Sequence, residues 1–405
     1  MRAIIYPSRA FGTVSAPPSK SVAHRLLIAA GLSDGVSVVH GISDCADVRA
    51  TADCLSALGV KFDFSGTDVT VFGKSPKNMI VENSLNCCES GSTMRFLIPI
   101  ALLLNQETVF LGKNSLMARP MTVYRDICDR HGFKFEQSDS GIKVSGKLHG
   151  GVFELPGNVS SQFISGLLFA LPVADGDSEI VISKPIESLS YIRLTLEALK
   201  KFGIKSNFDE QNGVIYVKGN QTYSPANTTV EGDYSGAAFT DALNYLNGKV
   251  TVVGLNESTA QGDAVYKKYF QLINDTAPTL DIKDCPDLAP ILFALAAAKN
   301  GATFTGTKRL KIKESDRATA MQTELSKLGA NVKVFENEVR IEPSHLKAPI
   351  DKISSYNDHR IVMAMAVLLT TLGGEIDGAE AVAKSYPGFF EDLISLGISV
   401  KLYED

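Results

Sequence analysis

Apolar and small residues gather into six stretches along the chain, and a short polar or charged cluster precedes each of them. Such a cluster followed by an apolar run is typical of a capped helix that is mostly buried. Three of the predicted helices cover Val22–Leu32, Met94–Leu104 and Ile361–Leu369. A regular period predicts repeated structural units. The clusters begin about 70 residues apart, except for a shorter fourth step, at Ser19, Ser90, Ser160, Asp233, Pro286 and Asn357.

A second pattern recurs with the same period: a helical segment ends at glycine, and a strand-like alternation of apolar and polar residues follows. Glycine ends helices because it adopts left-handed dihedral angles at little cost. The copy expected near Ile273–Ile282 is degenerate and contains Pro278. Each unit is therefore predicted to hold a buried helix, an amphipathic helix and several strands. The five regular copies end their helices at Gly59, Gly132, Gly203, Gly329 and Gly397.

These repeats predict an α/β (α+β) protein of six units, and two domains of three units are the simplest grouping. We place the first domain at residues 18–231 and the second at residues 1–17 and 232–405. The early strand Ala3–Tyr6 precedes the first full unit, and we expect it to pair within the second domain. The chain then crosses between the domains twice, near Pro17–Pro18 and near Glu231–Gly232.

The composition narrows the class of protein. The formal net charge of the 405 residues is only −5, whereas a nucleic-acid-binding protein usually shows a basic domain or stripe. The longest apolar runs, Phe96–Leu104 and Leu288–Ala298, are too short to span a bilayer, and the first residues lack the apolar core of a signal peptide. Six cysteines without a C-x-x-C pair indicate reduced, mostly buried thiols in a cytoplasmic protein.

Cations stand at several predicted helix starts, where they oppose the helix dipole. Because the free N–H groups of a helix amino terminus already attract anions, an added Lys or Arg favours capture of phosphate or carboxylate. Lys20 and Arg25 lie about one turn apart, and Gly91 allows close approach of a ligand beside Arg95. Each of these signals, taken singly, also fits an ordinary capped helix or a surface loop. The same holds for Arg119, which the following proline keeps extended, and for Ser160, Ser161 and Gln162.

The second half of the chain holds the densest charge. Lys313 and Arg317 are four residues apart and would share one helix face with Glu314 beside them, although a solvated charged run is the alternative. Arg360 precedes a wholly apolar helix, so its burial would need a partner or a ligand. The last two candidates are Asp287 at a helix start and Lys384 in an apolar loop.

Together the basic residues predict a positive cleft between two domains that binds a small polyanionic substrate. Asp287 and Glu314 are the only carboxylates expected in it, and proton transfer by Lys, Asp and Glu follows naturally. Neither a metal nor a cofactor is implied, because the six histidines are scattered and the P-loop and dinucleotide fingerprints are absent from the sequence. The seven cations are Lys20, Arg25, Arg119, Lys313, Arg317, Arg360 and Lys384.

At these residues the chain resembles the 5-enolpyruvylshikimate-3-phosphate synthases, over essentially its full length. The resemblance implies two domains, each an inverse α/β barrel of three βαβαββ-like repeats, in a cytoplasmic enzyme of chorismate and aromatic amino-acid biosynthesis. We expect a monomer that binds neither nucleic acid nor membranes. The segments that carry the resemblance, in the family's order, are Ser19–Arg25, Ser90–Arg95, Ala118–Pro120, Ser160–Gln162, Tyr191–Leu196, Lys313–Arg317, Tyr356–Arg360 and Lys384–Pro387.

The implied reaction transfers the enolpyruvyl (carboxyvinyl) group of phosphoenolpyruvate to the 5-hydroxyl of shikimate 3-phosphate, through a tetrahedral intermediate and with release of phosphate. The domains would close around the substrates. Glu314 and Asp287 would carry protons, with Lys20 and Lys384 assisting. By the family pattern, phosphoenolpyruvate would contact Lys20, Gly91, Arg119, Gln162, Arg317, Arg360 and Lys384. Shikimate 3-phosphate would contact Ser21, Arg25, Ser160, Ser161, Ser188, Tyr191, Asp287 and Lys313.

Two positions depart from the family pattern, since Glu89 and Arg309 stand where Asn is common. The nearest alternative is a UDP-N-acetylglucosamine enolpyruvyl transferase, but Asn114 occupies the position of that family's usual cysteine. A non-catalytic phosphosugar-binding or scaffolding protein would not need Asp287 and Glu314. A nucleic-acid end-processing enzyme of related topology is disfavoured by the acidic balance.

Overall fold

The chain forms two compact units in the computed structural model, which describes residues 1–81 and 84–404. One unit is Pro18–Val230, and the other combines Met1–Pro17 with Glu231–Asp405. We call them the 18–230 unit and the 231–405 unit. The chain therefore starts in the 231–405 unit, leaves it after residue 17 and returns to it at residue 231.

The 18–230 unit contains three four-stranded sheets with one shared topology. In each, a parallel pair of strands is followed by two antiparallel neighbours, so that Phe153, Ile180, Ile215 and Phe208 form a ladder across the third sheet. The first sheet has strands Asn227–Thr229, Gly35–His40, Asp68–Gly73 and Lys61–Ser65; the second has Leu85–Asn86, Thr108–Leu111, Gly141–Ser145 and Lys134–Ser138; the third has Val152–Pro156, Ser178–Ser183, Val214–Val217 and Ser206–Asp209.

Helices pack against these sheets and against each other. Helix Gly91–Leu102 packs against helix Ser161–Ala170, and both are mostly buried. The helices of this unit are Lys20–Leu32, Ala46–Ala57, Gly91–Leu102, Asn114–Met117, Thr122–His131, Ser161–Ala170 and Leu189–Lys201, with 3₁₀ turns Pro76–Asn78 and Leu171–Val173.

The 231–405 unit has two sheets of the same topology and a third sheet reduced to two strands. This reduction is the degenerate repeat. Near Ile273–Ile282, where we expected a degenerate copy of a helix end and a following strand, helix Tyr266–Asp275 ends and strand Thr279–Asp281 follows, but this strand is the first strand of the next sheet. The sheets are Thr279–Asp281, Ala302–Thr305, Glu338–Glu342 and Asn331–Val334; Ile353–Ser354, Gly374–Asp377, Arg2–Ile5 and Val400–Tyr403; and Phe11–Ser15 with Lys249–Val253.

The helices of this unit enclose one apolar core, in which helix Ala289–Ala298 packs against His359–Leu372. Both are rich in Ala, Leu, Ile, Met or Val, and almost every residue in them is buried. The helices are Tyr234–Asp241, Leu243–Leu246, Tyr266–Asp275, Ala289–Ala298, Arg317–Lys327, His359–Leu372 and Phe389–Ser395, with 3₁₀ segments Gly262–Val265, Pro286–Leu288, Lys308–Ile312 and Ala379–Lys384.

The six predicted helix starts are present, but their capping differs from the prediction at three of them. Ser90, Ser160 and Asp233 each accept a backbone N–H in the first turn. Ser19 stands at the cap position without such a bond, and the start at Pro286 is a 3₁₀ turn. At the sixth start, the capping residue is Asp358 and not Asn357, because the Asp358 carboxylate accepts the Arg360 N–H.

Two local predictions are confirmed. All five glycines that end helices have left-handed φ angles between +75° and +91°. The strand Arg2–Ile5 pairs antiparallel with Gly374–Asp377 on one side and Val400–Tyr403 on the other.

Over residues 1–81 and 84–404, no helix is both long enough and apolar enough to cross a membrane. The six cysteines are free thiols, and only Cys88 is exposed.

Candidate active site

The sequence-predicted residues fall into two groups, one in each unit. In the 18–230 unit, side-chain hydrogen bonds join the amino ends of helices Gly91–Leu102 and Ser161–Ala170, and the buried Arg25 of helix Lys20–Leu32 contacts helix Leu189–Lys201. We call this group the Arg25 cluster. In the 231–405 unit the candidates surround one carboxylate, and we call that group the Asp287 cluster.

Arg25 is a buried cation whose partners are all neutral. Its side chain is 2% exposed, and it donates to Thr195 Oγ1 at 2.8 Å and to the carbonyls of Ser21 and Tyr191 at 2.7 and 3.1 Å. The guanidinium also lies 5.1 Å from the ring centroid of Phe96. Burial lowers the pKa of Arg25 to about 10, so it remains charged at neutral pH. Within the described residues it has no carboxylate partner, and an anionic ligand would supply the missing charge.

Lys20 is paired with a carboxylate that the sequence analysis did not select. Its Nζ donates to Asp47 Oδ2 at 2.8 Å, and both side chains are largely buried. Beside them, the hydroxyl of Ser19 is buried and has no hydrogen-bond partner in the described part of the chain. The amino terminus of helix Lys20–Leu32 thus carries a hydroxyl without a hydrogen-bond partner in the described part of the chain, next to a cation that is held by Asp47.

Gly91 lies under two guanidinium groups. A Cβ atom there would sit 2.8 Å from Arg119 Nη1 and 3.0 Å from Arg95 Nη1, so only glycine leaves both groups in place. Arg95 donates to Gln162 Oε1 at 2.7 Å, and Gln162 Nε2 donates to Ser92 Oγ at 2.8 Å. This arrangement brings the predicted residues Gly91, Arg119 and Gln162 together.

The remaining predicted residues of this unit lie on the same helix ends. Ser160 caps helix Ser161–Ala170 by accepting the Gln162 N–H, and Ser161 is buried. Ser188 is buried in a left-handed conformation just before helix Leu189–Lys201, whose Tyr191 carbonyl binds Arg25. Glu89, which departs from the family pattern, forms an ion pair with Lys113 at 2.9 Å, and this pairing offsets its charge near the helix mouth.

Asp287 is the centre of the second cluster. Its Oδ1 accepts from Arg317 Nη1 at 2.8 Å and from Lys313 Nζ at 3.4 Å, and its Oδ2 accepts from Arg360 Nη2 at 2.9 Å. Arg360 also donates to the Asp287 carbonyl at 3.1 Å. Three predicted cations therefore meet on one predicted carboxylate.

The route by which Lys313 and Arg317 meet was wrongly predicted. They do not share a helix face, because Lys313 is extended after the 3₁₀ segment Lys308–Ile312, and the next helix begins at Arg317. Asp316 caps that helix by accepting the Thr319 N–H. The two cations converge because both point at Asp287.

More carboxylates lie in this cluster than the two that were predicted. Arg317 donates through Nε to Asp358 Oδ2 at 2.9 Å and through Nη2 to Glu314 Oε2 at 2.6 Å. Asp233 is buried nearby, and its carboxylate shares Ser235 with Arg360, since Ser235 donates to Asp233 and accepts from Arg360. The cations are thus largely balanced within the protein.

Neighbouring opposite charges lower the pKa of Asp287 and raise the pKa of Arg317. Burial alone would raise the pKa of Asp287, but Arg360, Lys313 and Arg317 hold it well below its usual range. Burial would lower the pKa of Arg317, but Asp358, Glu314 and Asp287 raise it well above its usual range. Burial lowers the pKa of Lys313, and Arg317 and Arg309 add to this effect.

Two predicted basic positions bind backbone carbonyls. Lys384 donates to the Asn357 carbonyl at 2.6 Å, and Arg309 is buried and donates to the Lys283 carbonyl at 2.6 Å. Two partners of the cations, Asp47 and Asp358, were not predicted from the sequence. Asp358 had a detectable signal, since it directly precedes an apolar helix as a capping residue does. No group of three or more His, Cys, Asp or Glu side chains that could hold a metal occurs among residues 1–81 and 84–404.

The repeated α/β units, with buried cations near several helix starts, define the class as a two-unit α/β protein of repeated sheets and helices. The family model of EPSP synthase (3-phosphoshikimate 1-carboxyvinyltransferase) matches residues 5–393. The chain belongs to this family, which is a family of transferases, and the family predicted from the motifs is confirmed.

Full-length relatives agree with this assignment. The chain is 40% identical over 416 residues to a 3-phosphoshikimate 1-carboxyvinyltransferase of Clostridium kluyveri, with 97% of this chain and 96% of the relative covered. It is 39% identical over 428 residues to that of Clostridium beijerinckii, with 97% of each covered. The solved EPSP synthase of Acinetobacter baumannii has the same fold, with a TM-score of 0.81, 24% identity and complete coverage of both chains.

Proposed function

We propose that this protein transfers the carboxyvinyl group of phosphoenolpyruvate to the 5-hydroxyl of shikimate 3-phosphate and releases phosphate. The observation that carries the proposal is Arg25, a buried charge with neutral partners only, in a chain whose full-length relatives bear the name of this activity. Its missing counter-charge fits an anionic substrate. The family match does not favour a UDP-N-acetylglucosamine enolpyruvyl transferase.

The assignment of substrates to residues follows the family pattern given above and the two clusters. We assign shikimate 3-phosphate to Ser21, Arg25, Ser160, Ser161, Ser188, Tyr191, Asp287 and Lys313. We assign phosphoenolpyruvate to Lys20, Gly91, Arg119, Gln162, Arg317, Arg360 and Lys384. Both substrates are anions, so cations must offset their mutual repulsion before they can be held together.

The reaction needs two proton movements at C3 of phosphoenolpyruvate. Attack of the hydroxyl on C2 requires a proton at C3 and gives a tetrahedral phosphate ketal, and loss of phosphate then removes a proton from C3. Asp287 is ionised at neutral pH because of its three cations, so it can accept a hydrogen bond from the attacking hydroxyl. We assign it a part in proton transfer from the family pattern. We assign the proton movements at C3 to Glu314, with the ammonium groups of Lys20 and Lys384 supplying the proton that the ionised carboxylate lacks.

We propose a monomer that works in the cytoplasm and binds neither nucleic acid nor a cofactor. The mild net charge of −5 and the free, mostly buried cysteines support this setting.

One assay tests the proposed reaction. Phosphate release from phosphoenolpyruvate is measured with shikimate 3-phosphate as acceptor and, in parallel, with UDP-N-acetylglucosamine. We expect turnover with the first acceptor only, and loss of turnover in Lys20→Ala without loss of the folded state measured by circular dichroism. Turnover with the UDP sugar only, or with neither acceptor, would refute the proposal.

A further inference from the structure

The loop that leads into helix His359–Leu372 has an unusual backbone. Tyr356 and Asn357 have consecutive positive φ angles of 51° and 53°. Asn tolerates this conformation, but a bulky residue such as Tyr adopts it rarely, and only where surrounding contacts hold it. The loop comprises residues Ser354–Asp358. The contacts that hold it therefore determine the positions of the groups with which it contacts its neighbours.

On one side, the loop presents two groups to the Asp287 cluster. The Asn357 carbonyl accepts from Lys384 Nζ at 2.6 Å, and Asp358 Oδ2 accepts from Arg317 Nε at 2.9 Å. Asp358 also caps the helix that begins with His359 and Arg360. A change in the loop would therefore move acceptors of two cations that we assign to phosphoenolpyruvate.

On the other side, the loop is held by Glu324, a carboxylate with 0% exposure. Its Oε2 accepts the Ser354 N–H at 3.0 Å, and its Oε1 accepts the Tyr356 hydroxyl at 2.9 Å. Lys327 Nζ lies 2.7 Å from Oε2 and offsets the buried charge. The proximity of Glu324 adds to burial in raising the pKa of Tyr356, so the phenol keeps the proton that it donates.

Helix Arg317–Lys327 forms hydrogen bonds with both ends of the loop. Arg317 and Glu324 are seven residues apart, which is close to two helical turns, so they lie on one face of the helix. Arg317 contacts Asp358 at the end of the loop, and Glu324 contacts Ser354 and Tyr356 at its start. The strained backbone between them is thus fixed by a single rigid element.

We propose that Glu324 and Tyr356 are positioning residues: they fix the loop Ser354–Asp358 so that Asn357 and Asp358 hold Lys384 and Arg317 in place for phosphoenolpyruvate. This inference rests on the proposed function for its substrate. It does not require Glu324 or Tyr356 to touch either substrate. Their effect reaches the reaction through the backbone of the loop.

The decisive variant is Tyr356→Phe, which keeps the ring and removes only the hydroxyl. Because a hydrogen bond to a carboxylate is lost and the loop is released, we expect kcat/KM for phosphoenolpyruvate to fall about tenfold. The KM for shikimate 3-phosphate should change much less, and the thermal midpoint should stay close to that of the parent protein. Hydrogen–deuterium exchange should become faster in the peptide that contains residues 354–360.

Tyr269→Phe is the matched control, since it also removes one phenol hydrogen bond, to the Asp281 carbonyl at 2.8 Å, in the same unit. It should leave kinetics unchanged. Parent-like kinetics and exchange in Tyr356→Phe would overturn the proposal, as would an equal kinetic loss in Tyr269→Phe. Glu324→Gln should act in the same direction, but Tyr356→Phe decides the question even if Glu324→Gln fails to fold. If the parent protein shows no carboxyvinyl transfer, the proposed function fails, while the exchange measurement still tests the loop itself.

Discussion

Gly91→Ala is the substitution whose effect the geometry defines best. Gly91 is the first residue of helix Gly91–Leu102, and its added methyl group would meet Arg119 Nη1 at 2.8 Å and Arg95 Nη1 at 3.0 Å. Both atoms are ends of flexible side chains, so the backbone need not move. Arg119 would have to retreat by about 0.6 Å to restore an ordinary contact of 3.4 Å.

Two separate energies set the effect of Gly91→Ala on stability and its effect on substrate binding. Alanine favours a helix over glycine by up to about 1 kcal/mol, so the folded state should be as stable as the parent or slightly more stable. A guanidinium that is displaced from an anion weakens a charge-assisted hydrogen bond, which contributes roughly 1.5–3 kcal/mol. The net expectation is a KM for phosphoenolpyruvate raised about tenfold or more, with a smaller change in the KM for shikimate 3-phosphate.

Steady-state phosphate release, with each substrate varied in turn, measures both constants, and a thermal melt measures stability. Gly91→Ser provides an internal series, because its larger side chain should raise the KM for phosphoenolpyruvate further. An unchanged KM in both variants, or an equal rise for both substrates, would show that Arg119 does not face phosphoenolpyruvate at Gly91.

Three further predictions concern the charged clusters. Arg25→Met should keep or raise the thermal midpoint, because it removes a buried charge that lacks a carboxylate partner, and it should raise the KM for shikimate 3-phosphate about 100-fold; a lower midpoint with normal KM would contradict this. Asp287→Ala should lower kcat by about 100-fold or more and affect KM less, and a pure KM effect would restrict Asp287 to binding. Burial alone would raise the pKa of Asp287, but its cations hold it low, so its stabilising contribution is complete above about pH 4 and is lost as the pH falls through the folded-state pKa. Thermal midpoints of the parent and Asp287→Asn should therefore converge at low pH, and a constant difference would refute the assignment.

Local chemistry explains what could be predicted from the sequence. The turns at Gly59 and Gly329 follow from the dihedral freedom of one residue, and the buried helix Ala289–Ala298 follows from its composition alone. The early strand was placed in the second domain because it precedes the first full unit, and Arg2–Ile5 does pair there.

Partner choice over long sequence distances could not be predicted in the same way. Lys20 and Asp47 are 27 residues apart, and Arg317 and Asp358 are 41 apart, so no local pattern pairs them. The shared helix face predicted for Lys313 and Arg317 was wrong because the helix begins only at Arg317, after the cap at Asp316. A four-residue spacing places two side chains on one face only when both residues lie in the same helix.

The pairing of strand Arg2–Ile5 has a consequence for synthesis on the ribosome. Its two neighbours, Gly374–Asp377 and Val400–Tyr403, are translated only after the whole of Pro18–Val230. The 18–230 unit can therefore complete its sheets during translation, whereas Arg2–Ile5 must wait, with both edges open, until its neighbours emerge. Truncation of the chain before residue 374 would leave Arg2–Ile5 without either neighbouring strand, so that its open edges could bind chaperones or aggregate.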